Sequence, residues 1–160
     1  MEEKILRLLE QDCCYTHAQI ATMLGISVEE VDAQIASLFE KGIILKYIAL
    51  IDWEKTDREF VTAHIELRVT PQRGEGFDKV AERIYQYPEV KSVYLMSGGY
   101  DLGVTIEGRT LKEVALFVAE KLAPMEFVLS TKTHFVLKKY KQNGIIFDTP
   151  KEDERRMISL

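Results

Sequence analysis

The order of strand-like and helix-like segments between residues 60 and 137 constrains the fold more than any other feature of this sequence. Apolar and polar side chains alternate in the first of these segments, which predicts a strand with one buried face. The strand-like runs are residues 60–69, 93–96, 102–106 and 128–137, and the helical runs are residues 77–87 and 111–122. This β-α-β-β-α-β order predicts a ferredoxin-like antiparallel sheet with two helices on one face. The other face needs a cover, which a second copy of the domain would supply.

A glycine-rich turn, Ser97-Gly98-Gly99-Tyr100-Asp101, separates the two middle strands and predicts a hairpin. Adjacent glycines allow backbone angles that are closed to other residues, so main-chain N–H groups at the turn can face a small anion. The simpler interpretation is that the glycines only make the turn.

The N-terminal segment has the pattern of a helix-turn-helix. A first helix is predicted over residues 2–10. Thr16 and Gln19 form a capping box that begins a second helix, and Ser27 and Glu30 form another that begins a third. A glycine between the last two helices favours helix-turn-helix over a plain three-helix bundle.

The charge of this segment is opposite to that expected of a nucleic-acid reader. Residues 1–45 hold three basic and eight acidic side chains, a net charge of −5, whereas residues 46–160 hold 18 of each. Phosphate contacts supply most of the affinity of DNA-binding proteins, so this acidity weighs against tight binding. With the apolar face of the third helix turned inward, the candidate DNA contacts are Ser27, Val28, Ala33, Gln34, Ser37 and Lys46.

Residues 43–52 are almost continuously apolar, which predicts a strand buried on both faces, against a partner chain. Residues 53–59 then form a polar linker loop, in which Trp53 is expected to pack in an interface. The predicted organisation is a helix-turn-helix domain over 1–45, a linker over 46–59, the sheet domain over 60–140 and an extension over 141–160.

Together these features resemble the Lrp/AsnC (feast/famine) family of prokaryotic transcriptional regulators. The resemblance covers about residues 3–140 and rests on the following segments: Gly42-Ile43-Ile44, Pro88-Glu89-Val90, the glycine turn and Ser130-Thr131-Lys132-Thr133. It implies an α+β chain with an N-terminal winged helix-turn-helix, a ferredoxin-like RAM/ACT-like domain and a C-terminal extension. It also implies homodimers that assemble into tetramers or octamers.

The same resemblance implies a site for a small amino-acid effector between dimers, near the glycine turn. Carried over residue by residue, the expected effector contacts are Gly98, Gly99, Tyr100, Asp101, Thr131 and Thr133. Backbone groups and hydroxyls would donate to the amino-acid carboxylate, and Asp101 would accept from its ammonium. From the residues alone, Asp101 is as well explained as a turn residue, Thr131 and Thr133 as an ordinary strand face, and Tyr100 as an interface anchor.

The sequence offers no catalytic constellation. His17, His64 and His134 lie far apart in sequence, and no phosphate-binding Gly-Lys-Ser/Thr loop is present. We therefore expect no enzyme, no metal and no cofactor, and the adjacent Cys13 and Cys14 are expected to be reduced thiols, with a redox switch as the alternative.

The beginning of the sequence has no leader pattern and the chain has no long uncharged stretch, so a soluble cytoplasmic protein without membrane contact is expected. The extension begins with a small basic cluster, Lys138, Lys139 and Lys141, which is typical of a solvated strand end. Residues 145–147 are predicted to form a short extra strand on a neighbour, and the tail after them is predicted to be disordered. Two functions remain: a DNA-binding regulator that responds to an amino acid, or an amino-acid sensor whose acidic helix-turn-helix contacts protein.

Overall fold

The computed structural model describes residues 1–71 and 76–147. The chain divides into two compact units, Met1–Ile51 and Asp52–Leu160. The tail predicted to be disordered lies outside the described residues. Within the described ranges, no helix combines the length and the apolar character needed to cross a bilayer.

The first unit contains three helices: α1 (Glu2–Gln11), α2 (His17–Leu24) and α3 (Val28–Glu40). The predicted capping box is confirmed, because the Gln19 amide donates to the Thr16 hydroxyl and the Thr16 amide donates to the Gln19 side chain. Gly25 follows α2 with φ = 67°, a left-handed conformation in which a Cβ would be strained. The core of the unit consists of Ile5, Leu9, Ile20, Ala21, Val31, Ile35, Leu38 and Ile44.

The predicted strand over residues 43–52 is wrong for this chain. Residues 45–50 belong to no helix or strand, and Leu45 and Ile48 are 86% and 70% exposed. A strand needs a hydrogen-bonded neighbour, and the described part of the first unit contains no strand with which this segment could pair. The apolar side chains of this segment are exposed in the single chain, and its burial against a partner chain stays a prediction.

The second unit is built on a four-stranded antiparallel sheet. Its strands are β1 (Val61–Val69), β2 (Val90–Leu95), β3 (Leu102–Gly108) and β4 (Val128–Phe135), in the spatial order β2-β3-β1-β4. Helix α4 (Asp78–Tyr85) connects β1 to β2, and α5 (Leu111–Phe117) continues into a π-helical turn, Val118–Leu122, before β4. This is the predicted β-α-β-β-α-β arrangement.

The alternation predicted for β1 is confirmed by burial. Ala63, Ile65, Leu67 and Val69 are buried in the core of the second unit, together with residues of both helices. His64 and Arg68 lie on the opposite face, hereafter the outer sheet face, and are exposed. Since buried Leu- or Ile-sized side chains each contribute about 1.5–3 kcal/mol, this inner face accounts for much of the stability of the sheet.

The extension after β4 forms a small hairpin of its own. Strands β5 (Lys141–Gln142) and β6 (Ile145–Ile146) pair with each other, so the predicted extra strand pairs within the chain and not on a neighbour. The two turn residues, Asn143 and Gly144, have φ = 49° and φ = 82°. Positive φ at both positions is what a two-residue type I′ turn requires, and Asn-Gly is the sequence signal for it.

Candidate functional site

Helix α3 has one face buried in the core of the first unit and an outward face that is mostly exposed to solvent. Ser27 is the N-cap, and its hydroxyl accepts a hydrogen bond from the Glu30 amide at 3.1 Å. This cap fixes where the helix begins, and the apolar spacing turns Val31, Ile35 and Leu38 into the core. The predicted contact residues Val28 and Ala33 are consequently exposed.

Two polar side chains of α3 are less accessible to a DNA duplex than the sequence suggested. Gln34 is half-buried, and its Oε1 is buried without a hydrogen-bond partner among the described residues. Ser37 is also half-buried. Asp32 is exposed and contacts the Nδ1 of His17 on α2, a pairing across the helix-turn-helix that the sequence did not predict.

Lys46 is exposed on the segment 45–50, which follows α3. The next residue, Tyr47, packs edge to face against Phe39 of α3, with 5.4 Å between ring centroids. Burial raises the pKa of Tyr47, and the negative charge of the Cys13 thiolate, when it forms, raises it further. This contact holds the start of the segment, and with it the backbone of Lys46, beside the end of α3.

Two of the four basic side chains of the first unit are already paired with acidic side chains. Lys41 Nζ lies 2.6 Å from Glu2 Oε1, and Arg7 lies 2.7 Å from Glu3 Oε1. The hydrogen bond and the charge of Lys41 hold the pKa of the Glu2 carboxyl below its ordinary value. Cys13 and Cys14 are free and exposed, as expected for reduced thiols.

In the second unit, the glycine turn is bonded to β1 at three places. The Asp101 amide donates to the Leu67 carbonyl at 2.9 Å, and the Val69 amide donates to Asp101 Oδ2 at 2.9 Å. Arg68 Nε donates to the Gly99 carbonyl at 3.1 Å. One carboxylate oxygen of Asp101 therefore holds the sheet together at the bulge between Arg68 and Val69.

The two turn glycines are not required by packing within the chain. A Cβ built on Gly98 or on Gly99 meets nothing within 4 Å. Gly103 differs, because a Cβ there would lie 3.5 Å from side-chain atoms of Met96 and Tyr100. The turn thus leaves open space over its glycines, with the half-buried Tyr100 ring beside it.

Thr131 and Thr133 do not adjoin the turn within one chain. In the register of β4 with β1 they lie opposite Leu67 and Ile65, respectively. The residue opposite Leu67 on the other side of β1 is Leu102, next to Asp101. Thr131 is therefore about 10 Å from the turn, two strand spacings away, and Thr133 lies two residues farther along β4. The predicted effector residues form two groups in the single chain.

Arg68 is the residue at this site that the sequence analysis missed. Its side chain is exposed on the outer sheet face and reaches the turn through its Nε. A guanidinium has five N–H donors in a planar fork, so the nitrogens beyond Nε suit a carboxylate. The alternation of β1 placed Arg68 on the correct face, but only the register shows that it reaches the glycine turn.

The outer sheet face also contains two histidines. His64 and His134 lie directly opposite each other in the β1–β4 register. The ring nitrogen Nδ1 of His64 is 3.0 Å from the Thr105 hydroxyl, and Nε2 of His134 is 3.0 Å from Glu66 Oε1. No group of three or more His, Cys, Asp and Glu residues in the described ranges is arranged to hold a metal ion.

Comparison with known families accounts for both units. The family described as "Lrp/AsnC ligand binding domain" matches residues 62–146, and "Winged helix-turn-helix DNA-binding" matches residues 1–44. The HTH-type transcriptional regulator YugG of Bacillus subtilis (strain 168) is 50% identical over 159 residues, which cover 99% of this chain and 96% of that protein.

Solved structures share the fold. A transcriptional regulator of Neisseria meningitidis, solved as a complex with L-Met, has a TM-score of 0.71 and 22% identity and covers 88% of this chain and 90% of its own. A feast or famine regulatory protein of M. tuberculosis, complexed with L-methionine, has a TM-score of 0.71 and 20% identity, with 88% and 92% covered. The structure called PH0061 has a TM-score of 0.76 and 20% identity, with 91% and 95% covered.

Proposed function

We propose that this chain binds a specific operator duplex through α3. The chain belongs to the Lrp/AsnC family of transcriptional regulators and has a helix-turn-helix and an amino-acid ligand-binding domain. Members of this family are regulators and not enzymes. A free amino acid bound at the glycine turn changes that binding. The observation that carries the proposal is the doubly capped helix-turn-helix, which leaves the outward face of α3 unused by the fold.

The DNA contacts proposed are those of the outward face and its flanks: Ser27, Val28, Ala33, Gln34, Ser37 and Lys46. Val28 and Ala33 supply apolar contacts suited to a thymine methyl group, and Lys46 supplies a phosphate contact. The half-buried Gln34 has to rotate its amide outward before it can reach a base edge. Few cations support this interface, so we expect weak binding that depends strongly on sequence.

The effector proposed is a small amino acid at Gly98, Gly99, Tyr100 and Asp101, together with Thr131 and Thr133. Within one chain the two groups are separated by β1, so we propose that a neighbouring copy brings its threonines to the turn. Arg68 and the turn amides donate to the carboxylate, and the second carboxylate oxygen of Asp101 accepts from the ammonium. Solved regulators of the same fold carry L-methionine, which supports an amino acid as the class of ligand.

The assembly proposed is a homodimer that associates further into tetramers or octamers. Two surfaces support it. The segment 45–50 is mostly apolar and unpaired, and the outer sheet face carries side chains that the helices do not cover. A second copy would pair with the first surface and cover the second.

The acidity of the first unit supports a second candidate function. Glu29 and Asp32 are exposed on or beside the outward face of α3 and would repel phosphates. In this alternative the chain is an amino-acid-sensing assembly that does not bind duplex DNA.

Fluorescence anisotropy separates the two functions. A labelled duplex from upstream of the protein's own gene is titrated with full-length protein at low salt, with and without a pool of amino acids. Binding that weakens with salt, is lost in Lys46→Gln with Ser37→Ala and is kept in Lys112→Gln supports the regulator. Absence of binding to any duplex, while calorimetry detects an amino acid, would leave the sensor function.

The effector site has its own variant. Gly99→Ala adds a methyl group that meets nothing within 4 Å in the chain, so the free energy of unfolding should be unchanged. If the turn binds an amino acid, calorimetry should show clearly weaker binding in Gly99→Ala than in the wild type. Equal affinities would place the effector elsewhere, and Ser97→Ala on the same turn is the control.

A further inference from the structure

The helix pair α2–α3 contains no side chain with a permanent positive charge. Residues 8–40 include neither lysine nor arginine, and Lys46 lies beyond the end of α3. DNA-binding proteins obtain much of their affinity from cationic side chains that contact phosphates. His17, the first residue of α2, is the one side chain in residues 8–40 that can become positively charged. A cation that belongs to the helix-turn-helix itself therefore has to be His17.

The position of His17 fits a contact with the DNA backbone. Its Nδ1 contacts Oδ1 of Asp32, which lies beside the outward face of α3. The two side chains are 45% and 56% exposed, so a ligand can reach both. In a helix-turn-helix the second helix enters the major groove while the first crosses the backbone. The imidazole of His17 thus lies on the helix that is expected to meet phosphates.

Asp32 determines which nitrogen of His17 is available. A carboxylate only accepts hydrogen bonds, so Nδ1 carries a hydrogen and donates it to Asp32. The other ring nitrogen, Nε2, has no hydrogen-bond partner among residues 1–71 and 76–147. In the neutral ring Nε2 has a lone pair and offers nothing to a phosphate oxygen, whereas in the imidazolium it is a charged donor. Protonation of Nε2 therefore decides whether the ring can bind a phosphate.

The ionisable groups on the neighbouring elements do not replace this cation. On α3, Glu29 lies one turn before Asp32 and is exposed. In the loop before α2, Asp12 Oδ1 accepts from the Cys14 amide at 2.8 Å. The remaining ionisable side chains of α1, of this loop and of α3 are Glu2, Glu3, Lys4, Arg7, Glu10, Cys13, Tyr15, Glu30 and Glu40. Both cations in that list belong to α1, which precedes the helix-turn-helix pair.

We propose that His17 takes up a proton from solvent when the chain binds duplex DNA and donates its Nε2–H to a backbone phosphate. The imidazolium also neutralises Asp32, whose charge otherwise repels the duplex. Because the bound state then holds more protons than the free state, duplex affinity rises as pH falls through the range in which histidine titrates. This inference rests on the proposed DNA binding and adds to it a contact residue and a dependence on pH.

Fluorescence anisotropy of the full-length protein tests the inference, with the labelled duplex from upstream of its own gene at low salt. Phosphodiesters keep their charge between about pH 6 and about pH 8, whereas histidine changes its charge in this range. The wild type should bind about tenfold more tightly at the lower pH, since a charge-assisted hydrogen bond is worth about one decade of affinity. The salt dependence should also be steeper there, by a slope of about one, because one more phosphate is neutralised.

Two substitutions at His17 give opposite results. His17→Gln should bind at both pH values with the weak affinity that the wild type has at the higher pH. His17→Lys supplies a permanent cation, so it should bind tightly at both. The control variant His64→Gln, His134→Gln removes the other two histidines of the chain, which belong to the second unit, and should keep the wild-type ratio of affinities. Thermal melting checks that each variant is folded.

Three results would overturn the inference. The first is an equal ratio of affinities in the wild type and in His17→Gln, which would leave the proposed DNA binding intact. The second is a ratio that disappears only in the control variant, which would assign the proton uptake to the second unit. The third is no duplex binding by the folded wild type at either pH, which would contradict the proposed DNA binding as well.

Discussion

The outward face of α3 and the glycine turn differ in how much the fold depends on their side chains. On α3, the side chains proposed to reach DNA are mostly exposed, and the helix is fixed by its cap and its buried face. At the turn, the Asp101 side chain accepts from the backbone of β1, and Arg68 reaches the turn carbonyl at Gly99.

This difference decides what a substitution can teach. On α3, an outward side chain can be replaced with little effect on stability, so a change in binding reports binding alone. At the turn, loss of a side chain removes a bond that holds the sheet, so stability and binding change together. Variants at the turn therefore have to be compared with their own stability.

The largest effect is expected for Asp101→Ala. The part-buried Val69 amide would lose its acceptor, which costs about 2 kcal/mol of the free energy of unfolding. Urea denaturation followed by circular dichroism measures it, with Asp57→Ala in an exposed loop as the control. A loss below about 0.5 kcal/mol would show that the side chains of the turn contribute as little to stability as the outward side chains of α3.

Asp32→Arg is expected to have the next largest effect, and on binding only. Reversal of one exposed charge facing phosphates should raise duplex affinity about tenfold at low salt, an effect that shrinks as salt rises. Stability should change by less than about 0.5 kcal/mol, because the contact with His17 is exposed. Glu10→Arg, on α1, makes the same charge change elsewhere. If the two variants bind DNA equally, α3 is not the contact surface.

A smaller loss of stability is expected when the N-cap of one helix is removed in each unit. Thr16 begins α2 and Thr110 begins α5, and each hydroxyl accepts from a backbone amide three residues on. Replacing either with Ala should cost about 1 kcal/mol of unfolding free energy. Equal losses of unfolding free energy in urea denaturation would show that both units depend on their helix caps to the same extent. Unequal losses would show that tertiary packing compensates for a missing cap in one unit more than in the other.

The smallest effect is expected for the exposed pair Glu2 and Lys41. Lys41 lowers the pKa of Glu2 in the folded chain, so the folded state holds this proton less tightly than the unfolded state does. The resulting stabilisation is present above the ordinary value of 4.5 and is lost as pH falls below it. The difference in melting temperature between wild type and Glu2→Gln should therefore shrink on acidification. A constant difference would rule out the pair as its source.

Local signals in the sequence predicted the fold well. The capping box at Thr16, the alternation of β1 and the Gly-Gly turn are each encoded within a few residues, and the structure contains all of them. At Ser27 the predicted capping box is only half formed: the Ser27 hydroxyl accepts from the Glu30 amide, but the reciprocal bond to the Glu30 side chain is not made. Strand register depends on residues far apart in sequence, so the link from Arg68 to the turn and the separation of Thr131 from it were not predictable. The Asn143-Gly144 turn did have a local signal, and it was overlooked.

The strand predicted over residues 43–52 failed for a different reason. Apolarity indicates that a segment will be buried, but it does not tell which chain buries it. In the single chain the segment is exposed, so its predicted partner is not identified. The charge of the first unit likewise indicates poor affinity for DNA without identifying what compensates it.

Because the backbone of residues 45–50 is unpaired, the hydrogen exchange of its amides can be used to measure self-association of the chain. Its amides have no acceptor among the described residues, so in an isolated chain they should exchange with deuterated water within seconds or faster. Pairing with another copy would protect them. Deuterium uptake at this one peptide would then follow protein concentration and any ligand that alters assembly, while the buried strands of the sheet report only global unfolding.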